Sequence, residues 1–466
     1  MKESPAAAIA SICLMAVGLA WVAMWNGYPM VFSGDTGAYI EGGVVSVDNH
    51  WLSIAWSRPP FYNLFLYLTH WRWSLWPTVF AQGLLLSHLL WLLDKAVYGE
   101  VQSVRFLVTG VVLMCFSTAP WFVGLLLPDF FTAVVVLALF LIGYGRPLLS
   151  RMEYFYVWVL SVASILSHYS HVTLAAGLLI VVICLRGLRE GMRGVLRREH
   201  LFHAAALGLA VATLFAVQHV FQGERGFAPY KNIFVLARLI GDGTALDTLH
   251  ARCPEAGFKL CGQLDRIEVW PEDPYTMSDR FLWRPESPLY AVGVKQVRDE
   301  APAIIRATLH DHAERQLFIS MRNWLTQVLA QDTGTWLEAF GRQPGDGTTR
   351  VITRFFPSEL DEFLAARQNT NGLYLDFFSA LHRLIFALSL LGGSAFALVR
   401  WRDTNSLLPP LFFFLLASLL GNSMTSGVLS RPDDRYMSRL TWVLVLYLAL
   451  AAATALSGRK SITKSI

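Results

Sequence analysis

Five polar groups interrupt an otherwise apolar chain, and each carries residue types that chemistry can use. Asp35 stands in Ser33-Gly34-Asp35-Thr36-Gly37, ten residues after an apolar run, with Tyr39 one helical turn further on. Such a carboxylate takes a proton from a hydroxyl as a general base, or it merely closes a turn on its own backbone beside Gly34. Gly34 and Gly37 would also let the backbone approach a substrate closely. Arg58 opens the stretch Arg58-Pro59-Pro60-Phe61-Tyr62, and a guanidinium binds phosphate oxygens in a bidentate manner. Asp129, in Pro128-Asp129-Phe130, precedes another apolar run, where it either acts on a substrate or caps a helix. His168 and His171, three apart, suit metal ligation or form a plain polar turn. Arg431, Asp433, Asp434, Arg435 and Tyr436 precede the last apolar run; the arginines hold an anionic group or anchor the chain at a membrane surface. Ionisable groups at membrane depth are costly and often functional.

The chain that must position them has 466 residues, 54% hydrophobic and 15% charged, against about 25% charged in a soluble domain. A water-soluble enzyme is excluded on that balance. The net charge of +4 is too thinly spread for a nucleic-acid surface, which needs Lys and Arg clustered on one face. No GxGxxG, P-loop, GxSxG or HExxH motif is present, so nucleotide chemistry is not expected. The sequence reads as an all-α integral membrane protein.

A bilayer core of about 30 Å needs about 20 apolar helical residues. Ten runs approach that template: 6–25, 75–93, 106–123, 130–145, 154–168, 172–185, 201–220, 377–399, 406–422 and 439–457. The first lacks a small-residue cleavage site and reads as an uncleaved anchor. With the amino terminus in the cytoplasm, the inside loops hold 15 Lys and Arg, among them Lys2, Lys95, Arg105, Arg186, Arg198, Arg459, Lys460 and Lys464. The short outside loops hold five: Arg58, Arg72, Arg431, Arg435 and Arg439. That bias sets the orientation, puts both termini in the cytoplasm and gathers the five polar groups on the outer side.

Three regions follow: an apolar module 1–220 with a first outside loop 26–74, a polar segment 221–376 forming an outside cap, and apolar helices in 377–466. Within the loop, the short apolar stretch 60–71, flanked by Trp71, Arg72 and Trp73, is expected to lie along the membrane surface. The cap carries turn signals at 270–274 and 283–288 and one amphipathic interfacial helix over 301–330, with Ile304, Ile305, Leu309, Phe318, Leu325 and Leu329 as its apolar residues. Cys13, Cys115 and Cys184 sit in apolar runs as small hydrophobes. Cys253 and Cys261, eight apart in the cap, are expected to close a disulfide in an oxidising compartment.

Taken together, Asp35 with Tyr39, Arg58 to Tyr62 leading into a surface helix, Asp129 in the second outside loop and the late pair Arg435-Tyr436 resemble the GT-C superfamily of polyprenyl-phosphate-dependent glycosyltransferases. The nearest likeness is to the protein mannosyltransferase and aminoarabinose transferase branch, glycosyltransferase family 39. The resemblance covers the first 150 residues best and the last 50 more loosely.

It implies a bundle of about ten transmembrane helices with periplasmic juxtamembrane helices and a periplasmic cap, in a bacterial inner membrane. It also implies an inverting transfer of sugar from a polyprenyl-phosphate donor to a glycolipid, polysaccharide or protein. Asp35 would be the general base, with Asp129 as the second catalytic acid. Arg435 and Arg58 would stabilise the leaving phosphate, while Tyr39, Tyr62, His168, His171, Arg431 and Tyr436 would line the substrate. Thr36 follows Asp35 where many members carry a second acid, which leaves metal dependence open; a bound Mg²⁺ or Mn²⁺ would take Asp35 and Asp129 as ligands. Two rivals use the same residues: a transporter or flippase of a lipid-linked substrate, and a membrane acyltransferase built on His168 or His171.

Overall fold

The structure, a computed structural model, describes residues 4–55, 57–268, 273–340 and 347–457. Lys2, Trp56, the Trp-Pro-Glu part of the turn at 270–274, and Arg459, Lys460 and Lys464 lie outside the described residues. Among those described, the regular structure is helical; the β pairing is confined to one parallel bridge between Met30 and Leu125.

Among the described residues, six helices are long and apolar enough to cross a membrane: Trp76–Tyr98, Tyr169–Glu190, Met192–Gln222, Leu375–Val399, Leu408–Leu429 and Asp434–Leu456. Of the other four expected spans, 130–145 and 154–168 fall on the 15- and 16-residue helices Phe130–Tyr144 and Arg151–Leu166, whereas 6–25 is divided between Pro5–Leu19 and Trp21–Asn26 and 106–123 between Ser103–Phe116 and Ala119–Gly124. Local chemistry explains several boundaries. Pro77, Pro120 and the Pro409-Pro410 pair sit in first turns, where a missing N–H costs nothing. Ser150 and Glu153 form a reciprocal capping box that starts Arg151–Leu166.

Phe130–Tyr144 is the post of the bundle, with every residue buried. It packs against Trp76–Tyr98, Arg151–Leu166, Tyr169–Glu190, Glu199–Gln222, Leu408–Leu429 and Asp434–Ser457. A helix that is apolar all round belongs in such a place. At the bundle end away from Asp129, ion pairs join Lys95 to Glu153 at 2.7 Å, Arg105 to Asp94 at 3.0 Å, Arg146 to Glu199 at 3.4 Å and Arg186 to Glu190 at 2.6 Å.

The first loop is not open chain, since it folds into helices Asp35–Asp48 and Phe61–His70. The polar segment builds its own apolar core from Ile233, Leu236, Ile240, Leu249, Phe281, Val297 and Ile304. The single helix expected over 301–330 is two, Val294–Asp311 and Ala313–Leu329, separated at His312 by a non-helical backbone. Their partners differ: Ile304 is buried in that core, whereas Ala313–Leu329 packs on the span Leu408–Leu429. Cys253 and Cys261 are bonded, with Cα atoms 5.6 Å apart. Cys13, Cys115 and Cys184 are exposed on the bundle surface.

Candidate functional site

Asp35 is positioned by a segment that is fastened on both sides. Gly27, at φ +85°, ends the preceding helix. Met30 N–H then donates to the Gly124 carbonyl at 2.9 Å, and Leu126 N–H donates to the Met30 carbonyl at 3.0 Å. The Gln368 side chain grips Val31, accepting from its N–H at 3.2 Å and donating to its carbonyl at 2.8 Å. Gly34, at φ +57°, turns the chain into helix Asp35–Asp48, a backbone geometry that favours glycine. Thr36, fully buried, accepts from Phe32 N–H at 2.9 Å and donates to the Leu126 carbonyl at 3.1 Å. The Asp35 helix is thereby tied to the strand of chain that leads into Asp129. Gly37 has a different task from the one expected: a Cβ there would meet the Thr348 backbone at 3.0 Å, so it seats helix Gly347–Phe355 against the Asp35 helix.

Arg58 contacts Asp35 Oδ1 at 2.9 Å and lies 4.8 Å from the centre of the Tyr39 ring. The Asp35 side chain keeps 36% of its surface open while Arg58 keeps 15%, so the carboxylate is oriented yet reachable. Tyr39 packs edge-on against Tyr62 at 5.2 Å. Tyr62 is fully buried and donates to Gln82, which in turn donates to the Val123 and Leu125 carbonyls. Tyr62 is therefore part of the support beneath the site.

Asp129 occupies the cap position of Phe130–Tyr144 but makes no capping hydrogen bond through its side chain. Its carboxylate accepts from Arg439 Nη1 at 3.1 Å and faces Arg435 Nη1 at 3.6 Å. The two arginines stand one turn apart on Asp434–Ser457. Arg439 is further held by the Asn422 side chain at 2.6 Å, and Arg435 lies 4.1 Å over the Phe32 ring. Tyr436 sits between them, its ring 5.0 Å from one guanidinium and 5.1 Å from the other. All three ions are nearly buried, and the Nε–H groups of Arg435 and Arg439 have no acceptor. Buried cations with donors left over are suited to an additional anionic ligand.

Asp35, Arg58, Asp129 and Arg435 all lie within electrostatic reach of Tyr39, and Arg439 joins them through Asp129 and Arg435. Asp433 also acts on Arg435, its carboxylate accepting from the Arg435 backbone N–H at 2.9 Å. His168 adjoins this set. Its Nδ1 accepts from Ser170 N–H at 3.2 Å, which places the proton of the neutral ring on Nε2. His171 is committed on both nitrogens, donating from Nδ1 to the Ser164 carbonyl at 2.7 Å and accepting at Nε2 from the Thr132 hydroxyl at 2.9 Å. Arg431 is drawn elsewhere: it bonds Asp279 on helix Pro274–Trp283, and Asp433 at 2.9 Å. Burial holds the Asp279 carboxyl above the usual carboxylate range, against the opposing pull of Arg431.

No protein-family model, curated protein or solved structure matches the chain.

Arg439 and Asn422 were missed as site residues. Arg439 counts in the sequence as a flank of the last span, although its spacing of four from Arg435 places both on one helix face. Asn422 is a lone amide inside an apolar run. As for a metal, no three His, Cys, Asp or Glu side chains converge among the described residues. Asp35 and Asp129 each already face guanidinium groups, a donor set that does not fit Mg²⁺ or Mn²⁺.

Proposed function

We propose that this chain is an inverting membrane glycosyltransferase of GT-C type, moving a sugar from a polyprenyl-phosphate donor to an acceptor hydroxyl. The observation that carries the reading is the pairing of a reachable carboxylate, Asp35 on Arg58, with a buried, donor-rich arginine pair on Asp129. The acceptor oxygen gives its proton to Asp35 and forms its bond to the anomeric carbon as the carbon–oxygen bond to phosphate breaks. The lipid phosphate leaves with the electron pair, its charge met by Arg435 and Arg439. The acceptor is a glycolipid, polysaccharide or protein.

The full reading includes about ten spans, 6–25, 106–123, 130–145 and 154–168 among them, in a bacterial inner membrane with both termini cytoplasmic and segment 221–376 as a periplasmic cap. It is supported by the basic loops at the end opposite the site and by the Cys253–Cys261 bond, which suits an oxidising compartment. Labelling of single cysteines in 221–376 from outside the cytoplasmic membrane, with a mass map of non-reduced peptides, is expected to find the segment accessible and the two sulfurs joined. Labelling only after that membrane is broken reverses the orientation.

The direct test is mass spectrometry of envelope glycolipids, polysaccharides and glycoproteins from a strain lacking the chain, complemented with wild type or Arg435→Lys. One sugar should be missing and restored by wild type alone. The Lys variant keeps the charge but loses the planar fork, so its apparent affinity for the sugar donor should fall in a purified transfer assay. Unchanged profiles in all three acceptor classes overturn the glycosyltransferase reading; an unchanged donor affinity returns Arg435 to a structural role.

A further inference from the structure

Helix Ala313–Leu329 is amphipathic the wrong way round for a protein in water. Its buried face is mainly polar, formed by Gln316, Asn323 and Gln327 with at most 5% of their surface open, beside one apolar residue, Ile319. These side chains are matched: Gln316 donates to Asp242 at 2.9 Å, Asn323 to Asp242 at 3.2 Å, and Gln327 to the Asp433 carbonyl at 2.9 Å. The outward face is apolar instead, with Leu317 66%, Phe318 71%, Met321 44%, Leu325 58% and Leu329 73% exposed. At about 100° per residue these five fall on one arc of about 120°, and the one charge that enters it is the exposed Glu314 of the first turn, at the end of the helix. Arg315, Arg322 and Thr326 border the arc on one side, and Trp324 borders it on the other.

Trp324 fixes what lies beside that arc. Its indole N–H reaches the Leu420 carbonyl at 3.3 Å and the Ser423 hydroxyl at 3.2 Å, both on the span Leu408–Leu429. The outward residues of that span nearby, Leu420, Met424 and Leu429, are themselves exposed and apolar. The apolar arc thus continues a surface that belongs to a membrane-crossing helix. At its far end, Asp332 N–H bonds Asp434 and the Asp332 carbonyl accepts from Ser438, which places the helix at the site end of the bundle.

We propose that Ala313–Leu329 is embedded in the leaflet on the site side, its apolar arc against lipid acyl chains and its arginine edge at the headgroups. Lipid is the occupant because the arc is continuous with the span's own outward face and is edged by cations, the pattern of an interfacial helix. The segment reads as polar overall because its inward face carries the amides. The proposal stands independently of glycosyl transfer.

Spin labels on single cysteines test it in the full-length protein reconstituted into phosphatidylethanolamine and phosphatidylglycerol vesicles. The exposed Cys13, Cys115 and Cys184 are first replaced, and the Cys253–Cys261 bond is kept. Leu317→Cys, Phe318→Cys and Leu325→Cys should each show a several-fold higher ratio of oxygen to nickel-chelate accessibility than Thr326→Cys on the polar edge. A ratio at the three apolar positions equal to that at Thr326 overturns the proposal in favour of a water-exposed face. Dipolar broadening between labels of two copies, with low access for both probes, overturns it in favour of a protein interface.

Discussion

Asp35→Asn is expected to lower sugar transfer by about 10²- to 10⁴-fold, the usual contribution of a general base, with expression and thermal stability close to wild type. The two halves of this expectation have separate causes. Asn is nearly isosteric and keeps a first-turn polar group on helix Asp35–Asp48, but it cannot take a proton. The ion pair it gives up is partly open to solvent, with Asp35 36% exposed, and such pairs contribute about 1 kcal/mol or less. The fastenings through Thr36, Met30 and Gln368 do not involve the carboxylate, so the loop stays in place. Transfer at a near wild-type rate by well-folded Asp35→Asn would remove the base assignment and favour a transporter.

Asp129→Asn is expected to act the opposite way, on the fold first. Read as a helix cap, Asp129 would tolerate Asn with a mild effect. Its carboxylate, however, makes no cap bond and stands between two buried guanidiniums. Removing one partner of a buried ionic group leaves the others uncompensated and costs about 3 to 5 kcal/mol. Thermal unfolding in detergent should therefore show a large drop for Asp129→Asn. Adding Arg439→Met removes one of the stranded charges, so the double variant should be more stable than the sum of the single losses predicts. A wild-type melting temperature for Asp129→Asn, or strict additivity in the double variant, would contradict the buried triad.

Much of the site could be read before the fold because charge in apolar surroundings is conspicuous. Asp35, Arg58, Asp129 and Arg435 each interrupt or border a hydrophobic run, and folding brings all four within electrostatic reach of Tyr39. What could not be read is which neighbour each one faces. Arg431 and Arg435 look alike in sequence, yet Arg431 turns to Asp279, more than 150 positions away, and only tertiary packing decides that. Gly37 illustrates the same limit, since permissive backbone geometry and close helix contact both call for glycine. In the sequence, apolar residues interleaved with charges point to a single amphipathic helix over 301–330. Its break at His312 and the inverted polarity of its second half depend on where the inward amides find partners, Asp242 and Asp433, which no local pattern encodes.

The wholly enclosed post, Phe130–Tyr144, bears on how the molecule is made. Fifteen residues extend about 22 Å at 1.5 Å each, short of the about 30 Å that the hydrocarbon layer demands. A segment of that length has little hold on lipid when it leaves the insertion machinery alone, and no face of it touches lipid at the end. In chain order Trp76–Tyr98 precedes it and Arg151–Leu166 follows it, and both pack on it in the finished bundle. Its last neighbour, Asp434–Ser457, is synthesised nearly 300 residues later and brings both arginines to Asp129. Until then the aspartate is without these counter-charges, so the charged site is complete only when the final helix is in place, and a chain cut short before that helix lacks both arginines.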